Sequence, residues 1–470
     1  MKVFFVTNLF CIILGLKSFS QTYNILAFGA KSDSSTINTK YIQKAIDSCS
    51  ISGGGTVIIP KGIFVTGTLQ IKNNVNLHLE KMSVLCGSTD TSDYPGASEE
   101  RSLIFIKKAN NVSIDGEGII DGRGSEIKTF NDSPEDRPYL IWANHSKNIR
   151  IENVSLKNSG YWTLWLLGSE HVNIEGISIY SHGNVDTDGI DIDSKDVIIS
   201  DCIIDTDDDA LCFKSYRKEP CENVVVSNCI LASNCNFIKF GTRSSGGFRN
   251  ISINNCTLRP TSETKRPARY YLNKYLKAGI QDSIIGLSGI AIEVVDGGFL
   301  DQVTINNINM TGIQTPIFIR LGNRKNKTGS LKNVIISNIT ATSGSLIASS
   351  ITGVPGFYVE NLIIKDIIIN GMGGCTLSEI KMPVPEKESE YPENRMFMTN
   401  LPAYGFYIRH AKNIVFDNIK FNLEQPDVRN PFWIEDAQNI TISNFMTNQS
   451  CKKKSIVKKV KTSDIKVHNK

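Results

Sequence analysis

Three carboxylates in a row, Asp207, Asp208 and Asp209, stand in the stretch DTDDDALCFKS (205–215) of a sequence that elsewhere alternates apolar and polar residues. Upstream, NVDTDGIDID carries Asp186, Asp188, Asp191 and Asp193; Asp188 precedes Asp208 by 20 residues and Asp209 by 21. If that interval is one turn of a coiled chain, the side chains stack on neighbouring strands about 5 Å apart. Carboxylates so close do not all ionise freely: one is expected to keep its proton and serve as a general acid while its neighbours stay charged and act as bases. Glycoside hydrolysis needs that pairing, and the stacking distance, shorter than the roughly 6.5–9.5 Å of inverting enzymes, points on spacing alone to retention. Adjacent strand residues face opposite ways, so Asp208 and Asp209 share a site only where the backbone bends. The structural alternative is that such aspartates bond backbone amides in turns or bind calcium, which is the preferred reading of Asp191, Asp193 and Asp205 taken singly.

What would stack them is a repeat. The phrase NVSIDGEGI from Asn111 recurs as NIRIENVSL (Asn148), HVNIEGISI (His171), DVIISDCII (Asp196), NVVVSNCIL (Asn223) and NISINNCTL (Asn250). It continues as QVTINNINM (Gln302), NVIISNITA (Asn333), NLIIKDIII (Asn361), NIVFDNIKF (Asn413) and NITISNFMT (Asn439). The unit is about 25 residues, a solenoid period, and the two steps of 52 each hide a weak coil or an insertion. Short alternating runs closed by Asn, Asp or Gly read as strands and turns. One turn cannot bury its own apolar face, but a stack of turns buries a column. The expected fold is all-β, a single-stranded right-handed parallel β-helix with an N-terminal capping helix over INTKYIQKAIDSCS. Two segments, 262–282 and 371–406, break the period and are expected to be loops over one face.

The 470 residues carry a formal charge of +4 and 11 cysteines. Residues 1–20, MKVFFVTNLFCIILGLKSFS, have the basic start, apolar run and small residues of a secretory signal, with Gln21 as the first mature residue. The expected division is 1–20 signal peptide, 21–450 β-helix glycosidase domain and 451–470 basic tail. The tail's eight lysines against Asp464 leave a mildly acidic body, unlike a nucleic-acid binder, and are expected to form a solvated end. No later run is long enough to span a bilayer. Cys202, Cys229 and Cys256, spaced 27 and 27, are read as a stacked ladder of thiols rather than disulfides, and no CxxC pair suggests zinc.

With the repeat in place, the sequence resembles the polygalacturonase family, glycoside hydrolase family 28. The likeness starts at FGAKSDSSTINTKYIQKAID and runs through GGGTVIIPKGIFVTG and GEGIIDGRG to the aspartate cluster. The family's Asn-Thr-Asp and Gly-Asp-Asp motifs read here Asp186-Thr187-Asp188 and Asp207-Asp208-Asp209. The resemblance implies Asp208 as general acid, with Asp188 and Asp209 holding and activating water in an inverting hydrolysis. Its third motif, Gly-His-Gly, falls at Asn234-Cys235-Asn236, and its fourth, Arg-Ile-Lys, at Ala291-Ile292-Glu293. Losing that Arg and Lys removes the strongest recognition of a substrate carboxylate.

Lys214, Lys239, Arg243 and Arg320 are the candidate substitutes, with Asp186 and Trp162, beside Trp165, completing a sugar platform and His182 near enough to replace the missing histidine. The expected partner is a pectin-type, galacturonic-acid-containing polysaccharide or oligosaccharide, with no nucleic acid, no cofactor, no metal, a monomeric state and a secreted or periplasmic location. Two other classes stay open: a calcium-using polysaccharide lyase and a non-catalytic carbohydrate-binding β-helix.

Overall fold

The computed structural model describes residues 21–96, 100–127, 137–263, 275, 277, 280, 286–449 and 456–468. The proposed signal and most of 262–282 lie outside them. The described strands form a parallel β-helix in which each coil pairs with the coil before and after it. One inward column runs Val112, Ile149, Val172, Val197, Val224, Ile251, Val303, Val334, Leu362, Ile414 and Ile440 in unbroken register. Each of these side chains is buried. Burial of a Val, Ile or Leu side chain contributes about 1.5–3 kcal/mol, so the column is a main stabiliser of the stack.

The Asn that opens most repeats has its own cause. Asn111, Asn148, Asn223, Asn250, Asn333, Asn361, Asn413 and Asn439 all adopt positive φ, where Asn is tolerated better than most residues. Their amides hydrogen-bond from coil to coil, Asn148 to Asn111 at 2.9 Å and Asn250 to Asn223 at 2.8 Å. Asn74, in NVNLHLEKM, begins the same ladder, since Asn111 Nδ2 donates to its Oδ1 at 2.8 Å; that coil was not recognised among the repeats.

The capping helix is Thr39–Ile51, and Ile42, Ala45, Ile46 and Cys49 form its buried face. It ends at a glycine run whose Gly55 has φ +151; a Cβ there would lie 2.2 Å from the Gln21 carbonyl oxygen. The three ladder cysteines are buried free thiols.

Both steps of 52 residues are insertions. Ile251 pairs directly with Val303, and Leu362 with Ile414, so no coil intervenes on that face. The lysine-rich end departs from the solvated tail expected for 451–470, because Val457–His468 is a strand that continues the ladder on Asn430–Ser443. Its alternation of Val457, Val460, Ile465 and Val467 with lysines is a strand pattern that the charge count obscured. No described helix is long and apolar enough to cross a membrane.

Candidate active site

The outward side chains of one sheet form a second column, Phe105, Trp142, Trp165, Asp191, Cys212, Lys239, Ala291 and Phe318, read by register from coil to coil. Beside it lies a cleft of about 920 Å³, lined among others by Asp186, Asp188, Asp208, Asp209, Trp162, Lys214, Lys239 and Arg243. The coil ladder brings the carboxylates together: Gly189 N–H donates to the Asp209 carbonyl at 2.9 Å, which sets Asp188 beside Asp209. Oxygens of Asp188 and Asp209 approach within 4.8 Å, as do those of Asp208 and Asp209. The backbone bends where it must for Asp208 and Asp209 to share the cleft: Thr206 Oγ1 and Ser233 Oγ donate to the Asp208 carbonyl at 2.8 and 2.6 Å, and Asp208 Oδ1 accepts from the Asp209 amide at 2.9 Å.

Two buried lysines set the charges. Lys239 Nζ donates to Asp209 at 2.8 Å, and Asn236 Nδ2 adds a second bond at 2.8 Å. Burial alone would raise the Asp209 pKa, but Lys239, Lys214 and these hydrogen bonds outweigh it and hold it down at about 2. Lys214 Nζ lies 3.3 Å from Asp188 and 3.2 Å from Asp191. Burial and then the Asp191 charge push Asp188 well above the ordinary carboxylate range, and burial lifts Asp191 to about 7 against the pull of Lys214. The cluster thus sets a carboxyl with a raised pKa beside one with a lowered pKa, the division expected from crowded carboxylates.

Aromatic rings floor the cleft. Trp162 stacks on Tyr161 and carries Lys214 Nζ 4.5 Å above its ring. Trp165 lies beneath, stacked on Trp142 at 4.9 Å, and does not reach the cleft. Asp186 lines the rim, tethered by Arg137 at 3.2 Å. Cys235, at the third-motif position, lies in the cleft with its sulfur within 4.8 Å of Asp208 and Asp209. Burial raises its thiol pKa well above the usual value, so it stands there as a neutral side chain.

Two proposed substrate-binding residues lie elsewhere. Arg320 is fully buried and donates to the carbonyls of Gly353 (2.8 Å), Glu386 (2.8 Å) and Lys387 (3.1 Å). Arg409 does the same to Val384 and Pro385 at 2.7 and 2.8 Å. Together they clamp the second insertion, which puts Tyr391, Arg395 and Met396 into the cleft wall. A sequence places Arg320 on the cleft sheet but does not show that residues 66 positions away fold over it.

His182 is the other correction. It is buried behind the site, with Nδ1 2.8 Å from Asp207 and Nε2 2.9 Å from Asp205. Asp205 also accepts from Thr261 Oγ1 (2.6 Å) and the Ser262 amide (3.1 Å), anchoring the start of the first insertion. Burial alone would lower the His182 pKa, but hydrogen bonds to the two aspartates hold it up at about 9. A raised histidine pKa contributes stability that is fully present below the unfolded value of roughly 6.5 and is lost as pH rises through about 9. His182→Gln is therefore expected to cost roughly 3 kcal/mol in denaturant melts at pH 6 and progressively less as pH rises from about 6.5 through about 9; a deficit independent of pH would reject the charged-histidine assignment.

The sequence reading also missed groups that the cleft uses. Asp191 lies against Lys214, which also reaches Asp188, and its position one coil before Cys212 in the outward column was the signal. Tyr161, Tyr216 and Tyr391 line the cleft. Glu293, where the fourth motif would have Lys, is wholly buried, and neither of its oxygens accepts a hydrogen bond. Burial pushes its pKa up to about 8. The chain is tight here, since a Cβ on Gly241 (φ +102) would lie 2.3 Å from the Glu293 carbonyl oxygen.

A parallel β-helix with a carboxylate cluster on one outer face, walled by insertions, defines the class. Residues 49–267 match the model of glycosyl hydrolases family 28, the family that the aspartate motifs resemble. A probable polygalacturonase of Vitis vinifera is 32% identical over 219 residues, 42% of this chain and 45% of that protein. An exo-poly-alpha-D-galacturonosidase of Dickeya chrysanthemi is 26% identical over 270 residues, 43% of this chain and 44% of that protein. The chain spans less than half the length of these curated relatives. The family 28 exopolygalacturonase of Yersinia enterocolitica superposes with a TM-score of 0.63 at 18% identity, over 96% of this chain and 79% of that one, and shares the fold.

Proposed function

We propose that the protein is a glycoside hydrolase that cleaves O-glycosyl bonds in a pectin-type, uronate-containing glycan. The observation that carries this is the division of charge in one cleft, with Asp209 ionised under Lys239 and Asp188 pushed toward its neutral form beside Asp208. In this reading Asp208, at the acid position of the family motif, protonates the leaving oxygen. Asp209 and Asp188 hold the attacking water, Asp209 as the standing negative charge. Trp162 and the tyrosines seat sugar rings, and Lys214 and Lys239 position the carboxylates. The second insertion, clamped by Arg320 and Arg409, walls the cleft and supports attack from a chain end. Residues 1–20 support export.

The mechanism expected is inversion, with water delivered opposite the departing sugar. Proton NMR of the first product should show the anomer opposite to the substrate linkage; the same anomer would mean retention with Asp209 or Asp188 as nucleophile. The hydrolase itself is tested by release of reducing ends without added metal. An unsaturated, ultraviolet-absorbing product would instead identify a lyase, and absence of any cleavage would leave a binding protein.

A further inference from the structure

The cations of the cleft differ in what they have left to offer a substrate. Lys214 lies against Asp188 and Asp191, and Lys239 against Asp209. Arg324 grips Asp296 with two bonds of 2.9 and 2.8 Å, and Lys325 lies 3.7 Å from the same carboxylate. Arg395 is paired with Glu393, and Lys387 with Glu390. Arg243 lines the same cleft, is exposed, and among the described residues has no carboxylate within ion-pair distance. Its guanidinium is held over the Tyr216 ring at 5.2 Å, and Tyr216 lies 6.4 Å from Trp162, whose ring carries the Lys214 that reaches Asp188. A continuous floor of side chains therefore runs from the carboxylate cluster out to a guanidinium that has no carboxylate partner among the described residues. An arginine stacked on an aromatic ring keeps its planar fork pre-organised for a carboxylate.

We infer that Arg243 is the residue that recognises a substrate carboxylate, and that the cleft takes a glycan whose uronates are separated by uncharged sugars. This rests on the hydrolase reading above. An unbroken run of uronates sets a carboxylate in every subsite. Next to the cluster those carboxylates would face the standing charge of Asp209 and the rim carboxylate of Asp186, with Lys239 already paired to Asp209 and Lys214 held between Asp188 and Asp191. The fourth-motif positions sharpen this. Ala291 offers no charge one coil beyond Lys239, and Glu293 puts a buried carboxyl where a cation would have added to it. A neutral sugar seated on the Trp162 and Tyr216 rings, with a single uronate meeting Arg243, meets no such repulsion.

The test uses the full chain with three sets of oligosaccharides of equal length: alternating uronate and neutral hexose, their carboxyl-reduced counterparts, and oligogalacturonate. Steady-state kinetics on wild type and Arg243→Ala are joined to calorimetric binding by Asp208→Asn and by Asp208→Asn/Arg243→Ala. The wild type should favour the alternating set over oligogalacturonate at least about tenfold in kcat/KM. Arg243→Ala should raise KM for the alternating set about 10- to 100-fold, the value of a charge-assisted pair, without changing the carboxyl-reduced set. Preference for oligogalacturonate, or an equal loss on the reduced sugars, overturns the inference. Binding that depends on Arg243 without cleavage by the wild type would sink the hydrolase reading alone and uphold the carboxylate assignment. Absence of binding by any of the three sets would overturn the inference too.

Discussion

Asp208→Asn lowers kcat on a glycan with a sugar leaving group by about 10²- to 10⁴-fold, the usual contribution of a positioned general acid. Melting of the variant stays at the wild-type temperature, because Thr206 and Ser233 bond the backbone carbonyl of residue 208 and an amide oxygen can still accept from the Asp209 N–H. The same variant regains most of its rate on an aryl glycoside whose leaving group departs without a proton. Asp209→Asn shows no such rescue, since water activation is needed for either substrate. Asp188 makes the comparison decisive: its raised pKa also suits an acid, so rescue of Asp188→Asn in place of Asp208→Asn would exchange the two roles. Activity of Asp208→Asn equal to wild type on the natural glycan would remove residue 208 from the chemistry.

Lys239→Met strips a buried carboxylate of its counter-ion. Asp209 is 2% exposed and would keep Asn236, the weak Cys212 thiol donor and the more distant Lys214, a loss expected to cost about 3–5 kcal/mol at pH 7. The sign with pH is fixed by the depressed pKa. A carboxyl held at about 2 when folded contributes stability above its unfolded value near 3.9, and that contribution disappears as pH falls through about 2. The wild-type advantage should therefore narrow under acid, when Asp209 takes up a proton in the variant and the uncompensated charge vanishes. Kinetically the acid limb of the rate profile should move to higher pH, because Asp209 in the variant titrates later. Denaturant melts from pH 4 to 8 with matched rate profiles check both; a parallel loss of stability at every pH would mean that Lys239 acts by packing alone.

How much of this was legible in advance follows the range of the interactions. The β-helix was readable because each coil repeats the same local rule: alternation, then Asn or Asp at positive φ. The clustering of Asp188, Asp208 and Asp209 followed because residues one period apart must stack. Arg320 and His182 were misplaced for different physical reasons. Arg320 sits on the correct sheet, but its partners, the carbonyls of Glu386 and Lys387, come from an insertion; His182 is taken up by Asp205 and Asp207 one coil on, and the spacing alone does not show that these two aspartates turn toward it. Insertions have no period, so nothing in the repeat announces which row they cover. Tyr391 entered the cleft by the same route. Asp191 was set aside because single aspartates in turns are commonly structural, yet register with Cys212 and Lys239 puts it on the cleft column.

The last described strand carries charge that disfavours strand addition. Among the described strands Val457–His468 has Asn430–Ser443 as its one ladder partner, and a strand added along its other edge would extend the stack. Stacked coils of this width would otherwise resemble the growing tip of a fibril. Lys458, Lys459 and Lys466 are exposed on this strand, and a second copy approaching tip to tip would bring like charges into contact. The exposed lysines thus disfavour pairing of this strand with a like-charged one, most strongly at low salt.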